Sequence, residues 1–244
     1  MFKYFVIFIG VIATVTVTAV NAEDQPVRIG LLSNVPPYVQ SNPTRGLEPD
    51  LIRAVYGYLN KDVKLQHIPI LRMDYMLEEG KTDGIAIYRS GKVACFESDI
   101  FNLWHDGLLI HPDMKGRVNG LDDLADLSVG SFPNVDIVLP DVAPKLPINS
   151  ATYVTLHDSR LVYDMFKSGR LDAYVGDYWV LESIHKNQLK KPELKPFHLV
   201  KTFTPTERRV CFGNMQNRDE FNKGLRAIKR SKEYDAIQLK YKPE

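Results

Sequence analysis

Two stretches of the chain, 89 residues apart, repeat one pattern: Gly80-Lys81-Thr82-Asp83-Gly84-Ile85-Ala86 and Gly169-Arg170-Leu171-Asp172-Ala173-Tyr174-Val175. Each follows a segment with an apolar stripe at helical spacing, residues 73–79 in the first copy and 158–168 in the second. Such a helix ends well on glycine, which enters the left-handed conformation without a Cβ penalty. The apolar residues after each Asp read as a short buried strand. Two copies of helix–Gly–basic–x–Asp–strand predict two α/β lobes of similar build, with a cleft between them. Chance recurrence of a common α/β junction is the competing explanation.

The N-terminus bears on where such a cleft works. Lys3 supplies one positive charge, Tyr4 to Val20 carries none, and Val20-Asn21-Ala22 puts small residues ahead of Glu23-Asp24. This pattern reads as a secretory signal peptide over residues 1–22, because the apolar run is short for the ~20 residues of a membrane span and ends at a cleavage-like site. No Cys follows the run, which argues against a lipid-anchored precursor; an uncleaved anchor is the alternative. Lys3 is the only charge in this stretch, so residues 23–244 carry 30 basic and 30 acidic side chains. A neutral chain without a Lys/Arg cluster has neither the electrostatic footprint of a nucleic-acid binder nor a basic membrane-facing patch. The two cysteines, Cys95 and Cys211, match no zinc spacing; in an oxidising compartment they are either a disulfide or two buried thiols.

Along the chain the signals alternate. Residues 27–32 read as a strand ended by Pro36-Pro37, and Asp50 as the cap of a helix burying Leu51, Ile52, Val55, Tyr58 and Leu59. Strands are expected at residues 64–68, 107–110, 127–130 and 208–212, the second of these leaving the first lobe. Helices are expected at 121–126, at 178–185 and, as one or two segments, at 219–241, and the Pro-rich stretch 133–147 reads as a loop. This alternation predicts α/β architecture with a largely parallel sheet in each lobe.

The order of the short motifs adds a more specific reading. Pro36-Pro37-Tyr38, Gly46-Leu47-Glu48-Pro49-Asp50-Leu51, residues 77–83, Leu121-Asp122-Asp123-Leu124 and residues 169–177 fall in the order and spacing of a known family. The chain resembles the periplasmic solute-binding proteins of the polar amino-acid uptake type, bacterial extracellular solute-binding protein family 3. The resemblance covers nearly all of residues 23–244. It implies a type II clamshell: lobe one from 23–110 plus 205–244, lobe two from 111–204, and hinge crossovers near 110–113 and 200–204. It implies a periplasmic monomer that closes over a small polar ligand, an amino acid or amine. It further implies delivery to the permease of an ABC transporter, with no cofactor and no chemistry of its own. Because this fold returns the C-terminus to lobe one, it also favours pairing of Cys95 with Cys211.

An amino acid brings an ammonium and a carboxylate, and closing two lobes over it strips both of water. Buried charges persist only when paired and hydrogen-bonded, so such a site needs a carboxylate, a guanidinium and a cover. By the resemblance, Asp177 would hold the amine, although it also stands where a cap for the helix starting at Tyr178 would stand. Tyr38 would cover the ligand, and Asp83 and Asp172 read as fold residues. The family's Thr-x-x-Arg is replaced here by Ile87-Tyr88-Arg89-Ser90-Gly91-Lys92. Arg89 can grip a carboxylate with a bidentate fork, whereas Lys92 offers a point charge. The family's Gly-Thr pair in lobe two is replaced by Ser131-Phe132-Pro133-Asn134, leaving Ser131 as a donor. Tyr88, Phe132 and Trp179 predict a more aromatic pocket than an ordinary α-amino acid requires.

Catalytic signatures are poor by comparison. The chain has no Gly-x-Ser-x-Gly elbow, His-Glu-x-x-His pair, phosphate-binding glycine loop or Cys-x-x-Cys. Ser183-Ile184-His185-Lys186 reads Ser-x-x-Lys without its companion motifs. His105 and His111 lack an identifiable third metal ligand. A cleft enzyme of dehydratase type would need a buried general acid, for which Glu48, Glu97 and Asp177 are the candidates. A binding module serving a sensor protein would need the same closing clamshell as a transport protein.

Overall fold

The computed structural model describes residues 25–41, 44–87, 93–188 and 194–243; the signal-peptide reading at 1–22 lies outside them. In chain order the elements begin with β1 (Val27–Leu31), β2 (Gln40–Ser41), β3 (Thr44–Arg45), α1 (Leu47–Tyr58), β4 (Val63–His67), α2 (Ile70–Glu78), β5 (Gly84–Ile87), β6 (Phe96–Glu97) and β7 (Asn102–Trp104). There follow β8 (Asp106–Ile110), β9 (Val129–Ser131), α3 (Val135–Val138), β10 (Tyr153–Thr155), α4 (Ser159–Lys167), β11 (Ala173–Asp177), α5 (Tyr178–Gln188) and β12 (His198–Thr202). The chain then enters β13 (Thr206–Phe212), α6 (Met215–Arg230) and α7 (Glu233–Tyr241).

Two sheets organise these elements. The first runs β4-β1-β5-β13-β6, with β7 also on β13, and the second runs β10-β9-β11-β8-β12. Both are mixed rather than largely parallel. β1 pairs in parallel with β4 and β5, as β9 does with β10 and β11, whereas β13, β8 and β12 enter antiparallel. The antiparallel strands are the ones that carry the chain between sheets. The strand at 106–110 belongs wholly to the second sheet, so the first passage falls at His105 instead of near Ile110. All of its residues are buried, and an apolar run of this kind does not reveal from sequence which sheet it joins. The return passage runs through 203–205, between β12 and β13.

The sequence repeat is one structural device used twice. Gly80 and Gly169 take φ of +61° and +66° at the ends of α2 and α4. In both turns the residue after the glycine donates its N–H back five positions, Lys81 to Met76 and Arg170 to Met165. The Asp of each copy then ties its strand to the neighbour. Asp83 N–H donates to the Arg28 carbonyl while the Arg28 N–H donates to the Asp83 carboxylate at 2.7 Å. Asp172 N–H donates to the Ser128 carbonyl while the Ser128 N–H donates to Asp172 Oδ2 at 2.9 Å. Asp83 also forms an ion pair with Arg28 at 2.7 Å, which holds its carboxyl below the usual range despite partial burial. Both aspartates are thus fold residues, as expected.

Local departures have local causes. α1 begins at Leu47, three residues before the expected cap at Asp50, because Gly46 supplies its N-terminus at φ 126° and ψ 178°, a region open to glycine alone. Asp50 instead accepts hydrogen bonds from Lys240 and Tyr241 of α7. Tyr58 is exposed, and Tyr56 takes the buried position. The stretch 133–147 holds α3 and a 3-10 turn at 143–145 rather than a plain loop. A Cβ at Gly46 would lie 2.4 Å from the Tyr38 carbonyl oxygen. Gly46→Ala therefore combines a steric clash with a forbidden φ, and urea unfolding should show a loss of about 2–3 kcal/mol.

Candidate ligand-binding cleft

The C-terminal ends of β1, β4, β9 and β11 face a cavity of about 540 Å³ lined from both sheets. Ligands of open α/β sheets bind at such strand ends. On one side stand Leu32, Val35, Ile68 and Arg208, and on the other Phe132, Leu156, Asp177 and Leu181. Asp106 and Trp104, flanking the chain passage at His105, complete the base.

Tyr38 and Asp177, two of the expected site residues, meet, but differently from expectation. Tyr38 is fully buried behind the cavity, and its hydroxyl donates to Asp177 Oδ2 at 2.8 Å. The same oxygen accepts the His105 N–H at 2.6 Å, and Oδ1 accepts the Val180 N–H at 3.0 Å. Asp177 is therefore both a wall of the cavity and the cap of α5. Tyr38 stacks on Trp104 and Trp179 with centroids 4.7 and 6.1 Å away, and Trp179 stacks on His105 at 3.9 Å. Trp179 thus belongs to an aromatic column along the passage between sheets, while Phe132 lines the cavity. Ser131 is fully buried, bonded to the Phe132 carbonyl and the Tyr153 hydroxyl. Tyr88, Arg89 and Lys92 lie outside the described residues.

Two charged residues at the cleft were missed in sequence. Arg208 has a fully buried side chain that lines the cavity. Its Nε lies 3.6 Å from Glu48 Oε1, and its guanidinium sits 4.2 Å from the centroid of the Trp104 ring. Glu48 Oε1 also accepts the Trp104 indole N–H at 2.9 Å. Glu48, named above as a candidate acid, is thus a counter-charge. Asp106 is the second omission. It stands opposite Asp177 in the β8–β11 register and is 3% exposed. The Thr206 hydroxyl donates to its Oδ2 at 2.9 Å. Burial pushes the Asp106 carboxyl up to about 6, against the pull of Thr206 and Arg208. Burial and the negative charge of Asp106 push Asp177 well above the usual carboxylate range, although three donors favour its ionised form. Two adjacent carboxylates in a water-poor cavity make a place for positive charge.

Elsewhere, Cys95 and Cys211 form a disulfide with Cα atoms 5.6 Å apart. Among the described residues no group of three His, Cys, Asp or Glu could hold a metal ion. His105 is engaged in the aromatic column.

Comparison with solved structures gives the architecture a context. An ancestral arginine-binding protein bound to glutamine aligns with a TM-score of 0.71 at 22% identity, over 90% of this chain and 98% of that one. The chain has the two-lobed fold of the periplasmic binding proteins. A histidine kinase sensor domain with similarity to periplasmic binding proteins shares this clamshell at TM-score 0.74 and 18% identity, over 89% of this chain and 96% of that one. So does the ancestral amino-acid-binding protein AncCDT-1, a precursor of cyclohexadienyl dehydratase, at TM-score 0.71 and 20% identity, over 88% and 95% of the two chains. No family model and no curated protein matches the sequence. At these identities the clamshell is what is shared, and activity has to be argued from the site.

Proposed function

We propose that this chain is an exported solute-binding protein whose two lobes close over a small polar ligand, an amino acid or amine, and deliver it to the permease of an ABC transporter. The observation that carries the reading is the cavity between the sheets, walled from both and holding the paired carboxylates Asp106 and Asp177. A cavity of this size suits a single small molecule. The glutamine held by the ancestral arginine-binding protein supports an amino-acid-like solute. Export to the periplasm is supported by the signal-peptide-like sequence at 1–22 and by the Cys95–Cys211 bond.

In this reading the cleft binds without transforming its ligand, because the Asp177 oxygens are held by structural donors and Glu48 is tied to Arg208. Arg89 is the proposed partner of any carboxylate the ligand carries, Tyr88 and Ser131 are the proposed cleft residues, and Tyr38 acts through Asp177. The likeness to a kinase sensor domain supports a second reading, in which the same clamshell reports ligand to a partner protein.

A thermal-shift screen against amino acids, amines, small organic acids and sugars tests the binding function. A ligand at 100 times its Kd adds about 2.7 kcal/mol, which raises Tm by roughly 5–10 °C for a chain of this size. A shift confined to one chemical class is expected. A blank across the whole panel would remove the solute-binding reading.

A further inference from the structure

The two cavity carboxylates are not equivalent. Asp177 is the better satisfied of the two: Oδ2 accepts the Tyr38 hydroxyl and the His105 N–H, and Oδ1 accepts the Val180 N–H. Asp106 accepts one side-chain hydrogen bond, from Thr206 to Oδ2, and its Oδ1 accepts none among the described residues. It is nonetheless 3% exposed, and it lines the cavity. That oxygen is not sealed off but opens on the cavity that Asp106 lines, where a bound group can reach it. The partner that fits is a cation with N–H donors.

The rest of the cavity says what should be attached to that cation. Arg208, the cationic side chain at the base, is already set against Glu48 and the Trp104 ring. The wall is otherwise dominated by Leu32, Val35, Ile68, Phe132, Leu156 and Leu181. Leu71, which also lines the cavity, is 94% exposed and adds apolar surface to it. A zwitterion would bring a further carboxylate beside Asp106, whereas a simple ammonium brings only positive charge there and gives the apolar wall a body to cover.

We propose that Asp106 is the cation anchor of the cleft and that its solute is an organic monoamine with an apolar body and no carboxylate. This inference rests on the solute-binding reading and narrows it. Asp177, in this arrangement, is a positioning residue that holds Tyr38 and the start of α5. The groups around Asp106 are Thr206 and Arg208 of β13, Asp177 and Tyr174 of β11, Tyr38 behind Asp177, and His105 and His157 nearby. The Asp106 carboxyl titrates at about 6 in the free protein. An amine that binds its ionised form should therefore lose affinity by about tenfold between pH 8 and pH 5, while staying protonated itself.

The test compares amines with their parent amino acids by thermal shift and calorimetry: 2-phenylethylamine against L-phenylalanine, and isopentylamine against L-leucine. The amines are expected to bind at least tenfold more tightly than the parents, and Asp106→Asn should weaken them by tenfold or more. Parents binding as tightly as amines would overturn the ligand class and leave solute binding standing. Asp106→Asn folding normally with full amine affinity would overturn the anchor. Should that variant fail to fold, the wild-type pH series decides, and unchanged affinity from pH 8 to pH 5 would overturn Asp106. A response only to sugars or organic acids would sink this inference alone, whereas silence across every class would sink the solute-binding reading with it.

Discussion

Glu48→Ala is expected to lower the unfolding free energy by about 3–5 kcal/mol, the usual cost of removing one partner of a buried ion pair. Both side chains of the Glu48–Arg208 pair are fully shielded from solvent. Glu48 Oε1 accepts from the Trp104 indole N–H at 2.9 Å and the Asn102 amide at 3.4 Å and faces Arg208 Nε at 3.6 Å, so one truncation takes an acceptor from the first two and the counter-charge from the third. Its place in the first turn of α1 adds a favourable helix-dipole interaction of about 0.3–1 kcal/mol. For a chain of 244 residues the total corresponds to a fall in Tm of roughly 6–20 °C. Glu48→Gln should be milder, since an amide oxygen still accepts from Trp104. The double variant Glu48→Leu/Arg208→Met should recover much of the loss, because apolar replacements relieve the desolvation of both charges. A loss under about 1 kcal/mol for Glu48→Ala in urea unfolding would show that the pair contributes packing and little else.

The same pair shows why part of the site was hidden in the sequence. In Thr206-Glu207-Arg208-Arg209-Val210-Cys211-Phe212, Arg208 is in phase with Val210 and Phe212, both fully buried. Strand alternation therefore points Arg208 inward and Arg209 outward, a signal present in the sequence that reading 208–212 simply as a strand did not draw out. Asp106 carried no such signal. It lies in no motif, and its importance arises only when antiparallel pairing sets it opposite Asp177. Features fixed within a few residues were legible: the left-handed glycines at 80 and 169, and the aspartates that follow them. Which sheet a strand joins depends on partners far along the chain. That is why the strand at 107–110 reads as leaving the first lobe although its pairing puts it in the second sheet. The two-lobed architecture does not depend on that assignment because it rests on the repeat, and each copy is locally complete.

Replacing both Cys95 and Cys211 by Ala is the second change expected to be severe, at about 2–5 kcal/mol. The bond links the segment leading into β6 to β13, and 116 residues separate its ends. That span contains the entire second sheet. In the unfolded chain the bond forbids the conformations in which those ends are far apart, and the loop-entropy argument puts the gain near 5 kcal/mol for so long a loop. β13 is already held in the folded protein by antiparallel pairing with β5, β6 and β7, so the bond takes little freedom from the folded state, and residual structure in the unfolded chain is what brings the expected gain below that figure. The double alanine variant is the proper test, since a single substitution would leave a reactive thiol behind. Its Tm should fall by roughly 5–15 °C, and dithiothreitol should lower wild type toward the same value without affecting the variant. Ligand affinity measured at a temperature where both proteins are folded should be unchanged, because neither cysteine lines the cavity. A variant as stable as wild type would mean that strand pairing alone closes the loop; lost affinity in a folded variant would mean that the bond also sets the spacing of β5 and β13, and with it the position of Arg208.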